Sequence, residues 1–244
     1  MPTEVLIAVG VTFVLFAVAW VLVPFALRKR AERRLAEMCR SRRAVVLTYD
    51  DGPGPGLTPQ LLDVLREAGV KATFFMIGRN ADSSPDLARR VVLEGHDAGS
   101  HTYRHRNAWK TAPWTAARDV LDGMVAIDTR GGDGRHFRPP FGKLTLAGLA
   151  QGARRKLRFG WWTVDSRDSW ARRPIPEVLM ELREKGGGVV LMHDFDRFDR
   201  APTNPPHPVH VLELTRRIIG LARAEHFTIL TLSELRPIEG GANA

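Results

Sequence analysis

The sequence predicts an α/β chain with a parallel sheet, preceded by one N-terminal transmembrane helix. Three observations predict it. Short apolar runs of strand length alternate with segments of helical periodicity, the order that builds parallel sheets through crossover helices. The chemically reactive residue types sit where those runs meet loops, which is where α/β folds carry their active sites. Val5 to Leu27 holds 23 residues without a charge, enough to cross a hydrocarbon core.

Taken in order, the first 27 residues read as a retained membrane anchor. A cleavable signal would begin with basic side chains, and Met1-Pro2-Thr3-Glu4 has none. Residues 28–43 form a juxtamembrane segment with eight basic and two acidic side chains, whereas no Lys or Arg precedes the span. The positive-inside rule places the catalytic domain on the cytoplasmic side, with an extracytoplasmic placement as the alternative. Such a cluster attracts anionic lipid headgroups by about 1 kcal/mol per residue. With one acidic residue before it, the cluster leaves +4 of the total +9 for residues 44–244. Most of the basicity is therefore juxtamembrane, and no aromatic-interleaved basic patch points to nucleic acid.

Residues 44–237 are expected to form one domain, with 238–244 a tail; roughly 200 residues suffice for one core. Strand-like runs at Val45–Leu47, Thr73–Ile77, Phe159–Val164, Val189–Met192 and Thr228–Leu232 alternate with helical patterns at Pro59–Ala68, Ser84–Glu94, Thr115–Thr129, Ile175–Lys185 and His210–Ala224. Periodicity alone leaves a barrel and an open doubly wound sheet both possible. Gly131-Gly132-Asp133-Gly134 and Gly186–Gly188 read as loops. The single cysteine, Cys39, excludes an internal disulfide framework.

The chemistry begins at Thr48-Tyr49-Asp50-Asp51-Gly52-Pro53. Adjacent strand side chains point apart, so two carboxylates at one site require the chain to turn, and the Gly/Pro-rich residues 52–56 supply a turn. Two packed anions need a cation or a shared proton. His101-Thr102-Tyr103-Arg104-His105 spaces two imidazoles four apart, one face of a helical turn and a spacing used by metal sites. One Asp and two His leave coordination positions open, as in a catalytic site. Arg138-Pro139-Pro140-Phe141-Gly142, Asp165 to Trp170 and Leu191-Met192-His193-Asp194 each follow or end an apolar run.

In isolation each of these segments has an ordinary explanation: a turn, a solvated helix face, a strand exit. Together and in this order they resemble the five motifs of the polysaccharide deacetylase family, the NodB-homology or carbohydrate esterase family 4 domain, over Ala44 to Leu235. The resemblance narrows the fold to a distorted, incomplete (β/α) barrel. It implies metal-dependent hydrolysis of an N-acetyl group on an amino sugar, within an oligomer, a polymer or a lipid-linked precursor. By similarity Asp50 would be the general base, and Asp51, His101 and His105 would hold a divalent metal, zinc first, with cobalt, manganese or nickel as alternatives. Arg138 would pair with Asp50, and the Phe141 amide would receive the developing oxyanion. His193 would be the general acid, oriented by Asp168, and Trp170 and Leu191 would line the substrate groove.

The chain departs from the family where Ser169 separates Asp168 from Trp170, which leaves Asp165 as an alternative partner for His193. His96 reads as a structural residue of a short strand, and His207 and His210 as part of the Pro-rich loop from Pro202 to Pro208. Two other functions stay open: a deformylase or non-sugar amidase of the same fold, and a non-catalytic membrane scaffold. No protein partner can be named from the sequence.

Overall fold

The structure, a computed structural model, describes residues 2–196 and 205–235. It opens on α1 (Thr3–Arg42), a single helix of 40 residues and about 60 Å at 1.5 Å per residue. From Val5 to Leu27 it carries no charge, and most of the described side chains there are exposed; by length and composition this helix could cross a membrane. The basic residues 28–43 continue the same helix rather than forming a separate linker. Leu35 and Cys39, one turn apart on one face, are fully buried and pack with Ala44, Val46, Phe75, Trp161 and Val189. Arg43 ends the helix in the left-handed region at φ 46°, and β1 follows at once.

Among the described residues the remaining elements are β1 (Ala44–Asp50), α2 (Leu57–Ala68), β2 (Thr73–Met76), α3 (Gly78–Ser83), α4 (Pro85–Leu93), β3 (Asp97–Ser100), α5 (Pro113–Asp128), β4 (His136–Phe137), a 3-10 turn (Pro140–Gly142), α6 (Leu146–Arg155), β5 (Arg158–Phe159), β6 (Val164–Asp165), α7 (Ile175–Lys185), β7 (Gly188–His193), α8 (His207–Ala224), β8 (Thr228–Leu230) and α9 (Leu232–Leu235). The sheet runs β5-β4-β3-β2-β1-β7-β6, with β8 on the first half of β1. Every pairing is parallel. β5 and β6 do not pair with each other, so the curled sheet stays open there, the expected incomplete barrel.

Burial explains the central strand. All seven residues of β1 are buried, as in a parallel strand covered on both faces. Val45, Leu47 and Tyr49 face one cluster with α2 and α8, while Ala44 and Val46 face the other, which includes Leu35 and Cys39 of α1. Each fully buried Val or Leu contributes about 1.5–3 kcal/mol, so α1 is stitched to the domain by its own apolar pair.

Several local expectations are corrected. The run Phe159–Val164 divides, because its ends pair with opposite edges of the sheet, β5 with β4 and β6 with β7. The short strand expected at His96 is β3, which begins one residue later at Asp97 and leaves His96 just outside it, while β4 was not expected. His101 and His105 are not on a helix but on the loop after β3. His207 and His210 are not loop: α8 begins at His207, with Pro208 in its first turn, a position where proline's missing N–H costs nothing.

Candidate active site

The register of the sheet gathers the site. Asp50 is the last residue of β1, level with Phe75 of β2 and His193 of β7, and the β3, β4 and β6 ends bring His101, Arg138 and Asp165 to the same rim. The chain turns at Asp51, φ 75°, so both carboxylates reach one imidazole: His101 Nε2 lies 3.8 Å from Asp50 Oδ2 and 3.5 Å from Asp51 Oδ1. Gly52 follows because a Cβ there would fall on the Asp194 carboxylate. Asp194 is itself buried and bound by Thr58 Oγ1 at 2.7 Å. Burial pushes its carboxyl up to about 7; Thr58 opposes the shift, and Asp51 and Asp50 add to it.

The two adjacent carboxylates have different partners. Asp50 Oδ1 accepts from Arg138 Nη1 at 2.7 Å. Arg138 is fully buried and also donates to Thr48 Oγ1 and Gly160 O, with its guanidinium 4.2 Å from the Phe75 ring. Asp51 Oδ1 instead faces His105 Nε2 at 3.1 Å and His101 Nε2. His101 Nδ1 donates to Arg138 O at 2.7 Å; a carbonyl only accepts, so the proton is on Nδ1 and the Nε2 lone pair faces Asp51. Ligand atoms of Asp51, His101 and His105 all lie within 4.8 Å of one another. A carboxylate and two imidazoles, that of His101 with its Nε2 lone pair turned inward, converge at this range and fit a divalent cation.

The spacing of the two histidines is held by the loop. Thr102 and His105 adopt positive φ, 64° and 57°. The Asp119 carboxylate of α5 accepts from the Arg104 and Arg106 amides, and Thr102 Oγ1 accepts from His105 N. Across the cleft, His193 Nδ1 donates to Asp168 Oδ1 at 2.8 Å, and the His193 amide donates to Asp168 Oδ2 at 2.9 Å.

The family model for polysaccharide deacetylase matches residues 37–158, half of the chain. A chitooligosaccharide deacetylase of Bradyrhizobium sp. (strain ANU 289) is 41% identical over 158 residues, 62% of this chain and 71% of that protein. A peptidoglycan-N-acetylglucosamine deacetylase of Bacillus cereus is 32% identical over 203 residues, 82% and 91% of the two chains. This chain belongs to the polysaccharide deacetylase family. A solved peptidoglycan N-acetylglucosamine deacetylase in complex with 4-naphthalen-1-yl-N-oxidanyl-benzamide superposes with TM-score 0.71 at 26% identity, covering 80% of this chain and 89% of that one. The protein is accordingly a hydrolase of non-peptide carbon–nitrogen bonds, a carbohydrate N-deacetylase.

The cleft at this rim has a volume of about 390 Å³ and is lined by Asp50, Asp51, His101, His105, Phe141, Gly142, Trp162, Asp165, Ser169, Trp170, Leu191 and His193. Phe141 has φ 58° and its ring lies 4.6 Å from that of His105. Trp170 is 71% exposed, with the Arg167 guanidinium 5.3 Å from its ring. Leu191 sits beneath, paired with Asp165 across β6 and β7. Asp165 uses its carboxylate on the Arg167 amide, and it is Asp168 that meets His193 despite the intervening Ser169.

Asp168 is the hub of the far wall. Its Oδ1 also accepts from Ser166 Oγ at 3.0 Å, and its Oδ2 from His207 Nε2 at 3.2 Å. Burial pushes the Asp168 carboxyl up, but the charges and hydrogen bonds of His193 and His207 outweigh it and hold it well below the usual range. Burial pulls His193 down, yet the Asp168 charge and hydrogen bond, helped by Asp51 and Asp50, raise it to about 9. His207 and Asp119 were missed in the sequence. His207 lay in a segment read as loop, and Asp119 sits mid-helix with no local motif.

His96 fits its structural reading: it is buried, accepts from the Ala72 amide through Nδ1 at 3.1 Å, and is pulled down to about 4 chiefly by burial.

Proposed function

We propose that this deacetylase removes the N-acetyl group from N-acetylglucosamine residues of a glycan, with Asp50 as base and His193 as acid. The observation that carries this reading is the division of the carboxylates: Asp50 accepts from Arg138, whereas Asp51 Oδ1 stands 3.1 Å and 3.5 Å from the facing nitrogens of His105 and His101. An anion held by an arginine keeps its second oxygen for a proton. Asp51, His101 and His105 would hold a divalent cation, zinc first among the ions that suit imidazole and carboxylate, and it would supply Lewis-acid polarisation of the acyl carbonyl and a more acidic water.

Asp50 takes the proton of the water that adds to the acyl carbon. The Phe141 N–H donates to the oxygen on which charge develops. His193 keeps Nδ1–H on Asp168 and gives the Nε2 proton to the amide nitrogen as the C–N bond breaks. The products are acetate and a free amino sugar; Asp50 releases its proton to solvent and His193 takes one up, which restores both residues. Arg138 and Asp168 touch no reacting atom; they fix and charge the two residues that do. Trp170 and Leu191 wall the groove beside the reacting sugar. Two relatives are named for chitooligosaccharide and for peptidoglycan N-acetylglucosamine, which supports a β-linked N-acetylglucosamine chain, free or lipid-linked. The run of cations after Leu27 supports an anchored protein with the catalytic domain on the cytoplasmic face; a topology reporter active only outside the membrane would overturn that placement.

The test is acetate release by the full chain from N-acetylglucosamine oligomers, with added zinc and after chelation. Zinc-dependent release that falls by about 10²–10⁴ in Asp50→Asn, the usual contribution of a general base, is expected. Release of formate from N-formyl sugars in place of acetate would favour the deformylase alternative, and absence of metal binding would remove this mechanism.

A further inference from the structure

Arg28 is the first residue after the apolar stretch, and its side chain reaches Gly142 and Trp162, two residues that line the cleft. Its Nη1 donates to the carbonyl of Gly142 at 2.6 Å. Its Nε donates to Glu32 Oε1, also at 2.6 Å; Glu32 is one helical turn on, so the pair shares a face of α1. The side chains are only 15% and 14% exposed. The guanidinium carbon stands 4.5 Å from the Trp162 ring and 5.1 Å from that of Trp161. Held by a carboxylate, a carbonyl and two indoles, the planar fork has one orientation.

What it holds is the loop of Phe141. Gly142 has φ 62°, and a Cβ there would collide with the Arg28 guanidinium and with Trp162. Phe141, also left-handed, is a bulky residue in a region it occupies only when its surroundings demand it. The amides of Gly142 and Lys143 turn back onto Pro139 O and Pro140 O, and Trp109 Nε1 donates to Leu144 O at 3.0 Å. Thus the turn is closed internally, tied at Leu144 by Trp109, and tied at Gly142 by α1. Arg138, which binds Asp50, stands 5.5 Å from the same Trp162 ring, so both arginines bear on one indole.

We infer that Arg28 is a positioning residue for the deacetylation: from the end of the apolar helix it holds the Gly142 carbonyl, and through it the Phe141 amide that receives the acyl oxygen. This rests on the role proposed above for Phe141. A misplacement of about 1 Å in such a donor costs on the order of 10²-fold in rate.

The experiment compares the full-length protein with Arg28→Ala and Arg28→Lys in detergent at equal zinc occupancy. It measures kcat and KM for acetate release from an N-acetylglucosamine pentamer, and hydrogen exchange across residues 139–145. The expected result is a kcat lower by about tenfold to a hundredfold, KM little changed, and faster exchange confined to that segment. Lysine lacks the fork that bridges Glu32 and Gly142, so Arg28→Lys should show the same pattern and serves where Arg28→Ala does not fold. An unchanged kcat overturns the inference. So does a fall in kcat without a change in exchange, or faster exchange without a change in kcat. Failure of the wild-type chain to release acetate would remove the proposed activity instead, and the exchange measurement would still decide whether Arg28 holds the loop.

Discussion

Asp168 gathers two imidazoles, a hydroxyl and an amide, and the pH behaviour follows from that arrangement. His193 is raised from its ordinary 6.5 to about 9, so its pair with Asp168 stabilises the fold fully below about pH 6.5 and loses that stabilisation as pH climbs through about 9. Asp168 is depressed, so its contribution is present above the ordinary carboxylate value near 4 and is lost on acidification below it. Since the proposed acid must carry a proton, kcat should decline on the alkaline side near pH 9. Asp168→Asn removes the main support of that shift, and the alkaline limb of a pH–kcat profile should move to lower pH. An unmoved limb would mean that Asp168 does not charge His193. His207→Leu keeps a buried side chain close to the imidazole in size but deletes a donor to a buried carboxylate; a loss of about 1.5–3 kcal/mol is expected in thermal or denaturant unfolding, with His193 still bonded.

At the scale of elements, α1 is two things in one helix. Leu35 is fully buried against the sheet while Phe13 is 71% exposed. Leu35→Ala should cost about 2–5 kcal/mol in the melt of the catalytic domain in detergent, and Phe13→Ala should leave that melt where it was. The continuity of α1 was not legible in the sequence, because the change from apolar to basic at Arg28 marks a change of solvent and says nothing of a change of backbone. The helical patterns at 59–68, 84–94, 175–185 and 210–224 were legible, since each buries one stripe and exposes the other. β4 was not, and β3 only as a short strand set one residue early at His96: Asp97–Ser100 and His136–Phe137 are too short to show alternation, and their neighbours in the sheet fix them as strands. Within the site, Asp50, Asp51, Arg138 and His193 could be read because each ends a strand or follows one. The loop of His101 and His105 was misread as a helical turn, because the i, i+4 spacing does not reveal the positive φ of Thr102 and His105. His207 and Asp119 find their partners 39 and 15 or fewer residues away, a relation visible only once the sheet has curled.

For the whole molecule, the proposed catalytic centre joins elements from across an open sheet. Asp51 and the two histidines follow β1 and β3, Arg138 follows β4, His193 ends β7 beside β1, and Asp168 follows the edge strand β6. A cation shared by Asp51, His101 and His105 therefore links two strands that are separated by β2, and its binding should stabilise the folded state. Zinc at about a hundred times its Kd should raise stability by about 2.7 kcal/mol, read as a chelator-reversible rise in Tm. The Asp51→Asn variant should lose most of that rise, and an equal rise in Asp51→Asn would place the cation elsewhere.

The contact between Arg28 and Gly142 also sets a distance. An enzyme on a flexible stalk samples a volume, and its catalytic centre can reach material far from the surface to which it is tied. Here nothing intervenes between the last apolar residue, Leu27, and the arginine that touches the cleft, so where α1 crosses a bilayer the cleft lies one side chain from the headgroup layer. The search for substrate is then confined to a plane, and turnover tracks how many acetylated sugars the membrane surface carries per unit area rather than their bulk concentration.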